Sequence, residues 1–246
     1  ALGIRDALIY RALSEATAQS LMRVMKKWSF VGRRAPARRG EGQETESAEV
    51  GGWLIQQYQG WFETFLRHRG LYRSIVEDHC GYVLMSDVTN FFPSIDLLRL
   101  RSRVDAESTL DRDARDLMYF LLESARAVED LAPSAHLGLP VVEDDSSRIL
   151  AHFYLRELDD ALTPEGEQGR YTRWMDDLVV SVTDIKEASE VAGRIQSSLA
   201  RLGLVPNSAK TKMMLKADFR KDLLEEVNAR LDVVLERYRG GQRLTP

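Results

Sequence analysis

Two adjacent aspartates set between two apolar runs constrain this chain more than any other feature. Residues 170–182 read Arg-Tyr-Thr-Arg-Trp-Met-Asp-Asp-Leu-Val-Val-Ser-Val. Tyr171, Trp174, Leu178, Val179, Val180 and Val182 are good strand formers. The pattern predicts strand, tight turn, strand, with Asp176 and Asp177 at the tip. Aspartate is a common turn residue, and taken alone the pair reads first as an ordinary hairpin turn. A third carboxylate changes that reading. Asp87 ends a second strand-like stretch at residues 81–88, Gly-Tyr-Val-Leu-Met-Ser-Asp-Val.

The rest of the chain supplies helices to cover these strands. Its 246 residues suffice for one large domain or two small ones. With 44% hydrophobic and 29% charged residues, the composition is that of an ordinary globular protein. No apolar run reaches membrane-spanning length and no signal-peptide pattern opens the chain. The single cysteine, Cys80, excludes an internal disulfide framework and is compatible with a reducing cytoplasm. The chain opens on Ala1 in helix-like sequence, which reads as a fragment. Net charge is −4, but residues 1–40 hold nine basic and two acidic side chains, or +7, leaving −11 elsewhere. Such a basic block, with Arg33 and Arg34, suits a phosphate backbone; it suits a solvated helix face and loop equally.

Taken in order, residues 4–27 carry helical spacing and residues 31–52 are expected to be a mobile loop. A helix is predicted at 51–68, with Trp53, Leu54, Tyr58, Trp61, Phe62 and Phe65 as a core-facing stripe. The 81–88 strand is followed by a turn and a helix near 97–104. A helix at 111–127 would turn Leu117, Phe120, Leu121 and Ala125 inward. Residues 128–145 form a loop containing Gly138-Leu139-Pro140. Ser146 or Ser147 would cap a helix running through Leu162, and Pro164, Gly166 and Gly169 mark the turn into the hairpin. Ile185 to Leu202 is an amphipathic helix closed by Gly203. A short strand near 212–215 and a helical stripe from Phe219 to Tyr238 complete the chain. This order predicts an α+β fold, an antiparallel sheet with helices on one face. It divides into an N-terminal helical segment (1–80), a central domain (81–216) and the start of a C-terminal helical segment (217–246).

An antiparallel sheet can bring Asp87 beside the hairpin, with Asp176 facing it and Asp177 adjacent. Clustered carboxylates repel one another unless a cation intervenes. Oxygen ligands with room for water and phosphate suit Mg²⁺, with Mn²⁺ able to substitute. A pair of such ions performs phosphoryl or nucleotidyl transfer without a protein nucleophile.

At these residues the sequence resembles the bacterial reverse transcriptases. The resemblance rests on Asp87-x-x-x-Phe91-Phe92, Gly138-Leu139-Pro140 with the following serine, Trp174-Met175-Asp176-Asp177, and Leu202-Gly203-Leu204-x-x-Asn207-x-x-Lys210-Thr211. They stand in the order and spacing of palm motifs A to D, and the match covers about residues 4–215. It implies a right-hand polymerase palm with partial fingers and a helical thumb or C-terminal domain. It implies that Asp87 and Asp176 are the main ligands of two Mg²⁺ ions, with Asp177 and the Val88 carbonyl supporting. Phe92, or less readily Phe91, would press on the nucleotide sugar and favour dNTPs; the other would be core. Gly138, Pro140 and Ser146 would line the nucleotide site. Lys210 would lie near pyrophosphate as a general acid, unless it is simply an exposed lysine. Arg173 and Trp174 would touch primer or template, although Trp174 also suits hairpin packing.

Three departures qualify the resemblance. Trp174 stands where Tyr or Phe is usual. Motif B continues as Val141-Val142-Glu143-Asp144-Asp145, without the usual glycine and with added negative charge. Triphosphate-binding fingers residues would have to precede residue 4. These divergences are most like the abortive-infection and defence-associated group, which implies DNA synthesis, RNA-templated or template-independent, in anti-phage defence. Its partners would be dNTPs, an RNA template or DNA product, and a non-coding RNA or partner protein, with self-association open. Retron-like or group II intron-like enzymes, an inactive polymerase fold serving as a nucleic-acid scaffold, and a palm-like nucleotide cyclase are the competing readings. His68, His79, His136 and His152 have no metal-ligand spacing.

Overall fold

Strand β2 (Tyr82–Ser86) is the spine of the fold. Its alternating side chains divide between two cores, as period-2 geometry requires. Leu84 faces the main core with Val180 and Val182, while Val83 faces a smaller cluster with Ile75, Val179 and Phe219. The computed structural model describes residues 3–31, 61–127, 138–140 and 146–222.

β2 lies between two antiparallel partners, β4 (Asp177–Val182) and β5 (Lys212–Leu215). β4 returns from β3 (Tyr171–Trp174) through the Met175–Asp176 turn. A two-residue strand, β1 (Ser29–Phe30), pairs with β3 in parallel and completes a five-stranded sheet of order β1-β3-β4-β2-β5. The α+β class holds, but the sheet is mixed rather than antiparallel throughout. β1 is too short to leave a period-2 signal in the sequence.

The main core is built from α1 (Ile4–Arg23), the short α3 (Phe91–Ser94), α4 (Leu97–Glu107), α5 (Arg112–Ala127), α6 (Ser146–Tyr154), α7 (Arg156–Ala161) and α9 (Ile185–Arg201), with α8 (Thr163–Glu167) at its edge. The Tyr10 hydroxyl meets Ser147 Oγ at 3.0 Å and joins α1 to α6. The Tyr154 hydroxyl donates to the Leu202 carbonyl at 2.6 Å and joins α6 to the end of α9. Helices cover both faces of the sheet, not one. α2 (Trp61–Glu77) and the helical residues 216–222 place Ile75 and Phe219 against the second face.

Several local expectations shift. α1 ends at Arg23, earlier than predicted. Residues 32–60, and the side chains of Trp61, Phe62 and Phe65, lie outside the described ones. α2 continues to Glu77, well past the predicted end. On α5 the buried stripe is Met118, Tyr119, Leu121 and Leu122, whereas Leu117 and Phe120 face solvent. That helix carries apolar residues on two faces, and periodicity alone does not choose between them. The predicted helix from Ser146 to Leu162 is interrupted at Leu155, whose ψ of 6° leaves the α range. Pro164 opens the short α8 rather than a turn, and Gly169, at φ +71, makes the turn instead. Gly203, at φ +73, ends α9 as expected. The predicted stripe beyond residue 222 lies outside the described residues. Among the described residues, no helix is long and apolar enough to cross a membrane.

Candidate active site

The β2–β4 register decides which carboxylates meet. Ser86 pairs with Leu178, and continuing that ladder one step sets Asp87 opposite Asp177. The Asp177 carboxyl is within hydrogen-bonding reach of Asp87, and Asp176 feels both charges. The expected facing pair shifts by one residue: Asp177, not Asp176, stands directly across from Asp87, because alternation along β4 puts Asp177 on the same face as Asp87.

The electrostatics follow. Burial and then its two neighbours push the Asp177 carboxyl from 3.8 to about 6. Burial and then Asp87 also raise Asp176. The locus therefore carries more negative charge than its surroundings compensate.

A polar loop holds Asp87 from the other side. The Asn207 amide donates to the Asp87 carbonyl at 2.8 Å, and Asn207 Nδ2 reaches Asp87 Oδ1 at 3.1 Å. Lys210 Nζ donates to Asp87 Oδ2 at 2.9 Å while its side chain stays exposed. The hydrogen bond to Asp87 raises the Lys210 pKa, so the ammonium persists. Ser86 Oγ and Thr211 Oγ1 meet at 2.8 Å. Val88 bridges Pro206, with hydrogen bonds from Thr89 and Asn207 on either side. In such a pair the Val88 carbonyl is not engaged by Pro206.

Asp87 and Asp177 open into a cavity of about 590 Å³ between α2 and the sheet. His68, Arg69, Tyr72, Trp174, Lys210 and Lys212 line its walls. Trp174 packs on His68 with ring centroids 5.1 Å apart, and His68 also contacts Tyr72 and Phe30. Burial, then Arg69, lowers His68 to about 4, so it is a neutral packing residue at pH 7. Trp174 is thus both hairpin packing and cavity wall.

Other predicted site residues lie elsewhere. Arg173 is fully buried on the opposite face and bonded to Asp159, so it cannot reach a nucleic-acid strand. Phe91 is core, at 3% exposure, which removes it as a contact for a nucleotide. Phe92 is half-buried against it, ring centroids 5.5 Å apart. Gly138, at φ +103, and Leu139 donate backbone hydrogen bonds to Ile95 and Phe92, which ties the Gly-Leu-Pro stretch to the segment after Asp87. Pro140 is buried there. Ser146 is 1% exposed at the start of α6 and is closed to a nucleotide in this conformation. Phe92, Gly138, Pro140 and Ser146 do not line the cavity. Arg33, Arg34 and the acidic residues 143–145 lie outside the described residues.

Beyond the predicted residues, Asn207 contacts Asp87, and His68, Arg69 and Tyr72 stand at the cavity, while His152 and Asp159 lie behind the hairpin against Arg173. Asn207 stands in the motif that supplies Lys210, which was the available signal. Asp159 neighbours Asp160 and imitates a solvated helix face.

The donor set bears on metal binding. Among the described residues, no group of three or more His, Cys, Asp or Glu side chains is placed to hold a metal ion. Asp87, Asp177 and a backbone carbonyl instead fit Mg²⁺, which retains several waters and takes one or two carboxylates. No family model matches the chain, and no curated protein matches it in sequence.

Proposed function

We propose that this chain is a DNA polymerase of the reverse-transcriptase type, with the β1–β5 sheet as its palm. The observation that carries the reading is the meeting of Asp87 and Asp177 across adjacent antiparallel strands, with Asp176 beside them and Lys210 on the cavity rim. Two Mg²⁺ ions held by Asp87, Asp176, Asp177 and the Val88 carbonyl would activate a primer hydroxyl and stabilise departing pyrophosphate.

The chain's own groups would do the rest. Burial and the neighbouring carboxylates raise Asp176 and Asp177, and a bound cation would relieve their mutual repulsion. Lys210 keeps an ammonium group on a flexible stem beside Asp87, suited to meeting phosphate charge and donating a proton to it. Trp174 and Tyr72 offer aromatic faces on which a base can stack. Phe92, half-buried outside this cavity, carries the role of discriminating against a 2′-hydroxyl on the motif resemblance alone. Template, primer and the link to anti-phage defence rest on the motif resemblance.

The test is incorporation of labelled dNTPs with Mg²⁺ or Mn²⁺, the products resolved on a denaturing gel. A polymeric ladder that Asp176→Asn abolishes is the expected result. A single-nucleotide product would indicate a cyclase-like activity. No product, with Asp176→Asn indistinguishable from the parent, would refute the assignment.

A further inference from the structure

Beneath the carboxylate hairpin, on the face away from the cavity, lies a charged cluster with no solvent contact. Arg173, Asp159 and His152 are all 0% exposed, as is Tyr171. The guanidinium meets Asp159 through two bonds, Nε to Oδ1 at 2.8 Å and Nη2 to Oδ2 at 2.5 Å. The Tyr171 hydroxyl donates to Asp159 Oδ1 at 2.7 Å. Arg173 Nη1 lies 3.3 Å from His152 Nδ1. Burial, then Arg173, drives the His152 pKa well down. The ring is neutral, and Nδ1 accepts from the guanidinium.

One donor of Arg173 does something else. Nη1 also reaches the Met175 carbonyl at 2.5 Å. Met175 sits in the turn at φ +54, a left-handed conformation that side-chain-bearing residues adopt at a cost. Its amide is held as well, donating to the Phe30 carbonyl of β1 at 2.9 Å. Both backbone polar groups of this unfavourable residue are therefore fixed by neighbours outside the hairpin loop. Asp176 and Asp177 follow it directly.

We infer that Arg173 is a positioning residue: through the Met175 carbonyl it holds the left-handed turn that presents Asp176 and Asp177 to Asp87. A buried ion pair is seldom retained for stability alone, since apolar residues of similar volume often serve as well. Here the planar fork serves two acceptors in different directions, Asp159 and the Met175 carbonyl, which a lysine ammonium cannot match in geometry. Asp159, Tyr171 and His152 orient the fork; Arg173 carries the turn. The catalytic consequence rests on the polymerase reading, whereas the effect on the turn does not.

The test uses hydrogen exchange over residues 171–180, with residues 82–86 of β2 as the internal reference, and Mn²⁺ affinity in the same preparations. Arg173→Lys is expected to speed exchange of the turn tenfold or more, with β2 unchanged, and to weaken Mn²⁺ binding 10–100-fold, as loss of outer-shell support does. Adding Met175→Gly to Arg173→Lys is expected to restore much of both, because glycine takes the left-handed conformation without strain. A residue that merely fills the core would not be rescued in this way. The triple variant Asp159→Leu, Tyr171→Phe, Arg173→Met removes the cluster without stranding a charge, and serves if Arg173→Lys does not fold. Turn exchange equal to the parent in either folded variant, or a defect that Met175→Gly leaves unrelieved, would overturn the inference. If Mn²⁺ binding by the parent is insensitive to Asp87→Asn, the polymerase reading fails instead, and the exchange data still decide the role of Arg173.

Discussion

Replacing Asp177 by asparagine should stabilise the metal-free protein at neutral pH, and the gain should disappear in acid. The folded chain raises the Asp177 carboxyl from 3.8 to about 6, through burial, Asp176 and Asp87. The folded state therefore binds this proton more tightly than the unfolded state does. Stability linked to the group is full below pH 3.8 and is lost as pH rises toward 6. A preference of that size corresponds to about 3 kcal/mol if unscreened. Asp177 is exposed on one side, and screening by water reduces the expectation to about 1 kcal/mol. For a chain of this length that is a rise of about 2–4 °C in melting temperature. The assay is thermal unfolding of parent and Asp177→Asn between pH 4 and 8 in EDTA, repeated with Mg²⁺. The variant should melt higher at pH 7.5, match the parent near pH 4, and gain less than the parent from added Mg²⁺. A difference that does not vary with pH, or a variant less stable at pH 7.5, would refute the carboxylate repulsion on which the site is argued.

Four further substitutions have outcomes set by particular contacts. A methyl group on Gly166 would stand 2.3 Å from the Trp28 ring, so Gly166→Ala should cost about 1–3 kcal/mol by overpacking, read from denaturant unfolding. Phe91→Ala should cost about 3–5 kcal/mol because Phe91 is core; Phe92→Ala should cost less and instead raise NTP use relative to dNTP, measured as a ratio of incorporation rates. Asn207→Ala removes a hydrogen bond to Asp87 Oδ1 and should weaken divalent-ion affinity by about 10–100-fold, followed by Mn²⁺ titration.

What the sequence disclosed was set by periodicity. The β2 segment, the hairpin and β5 are short runs of strand formers, and α9 carries a clean 3.6 repeat with Gly203 at its end; all lie close to where those patterns predict. Asp87 and the aspartate pair were brought together because strand ends were legible on both sides. The order of the two aspartates was not, since it depends on a register that only pairing across strands fixes. β1 is two residues long and carries no pattern. Arg173 looked like a strand-end arginine available to nucleic acid. Its partner, Asp159, lies in a different helix and resembles Asp160, and nothing local distinguishes a buried carboxylate from an exposed one. The faces of α5 were ambiguous because apolar residues occupy both.

On the proposed function, Asp87 and Asp177, with Asp176 beside them, hold divalent cations at one site. Mn²⁺ titration of the parent, Asp87→Asn and Asp177→Asn, followed by electron paramagnetic resonance with a dNTP present, tests it most directly. Saturable binding in the parent, weakened at least tenfold by either substitution on its own, is the predicted result. Equal binding in all three proteins would contradict it.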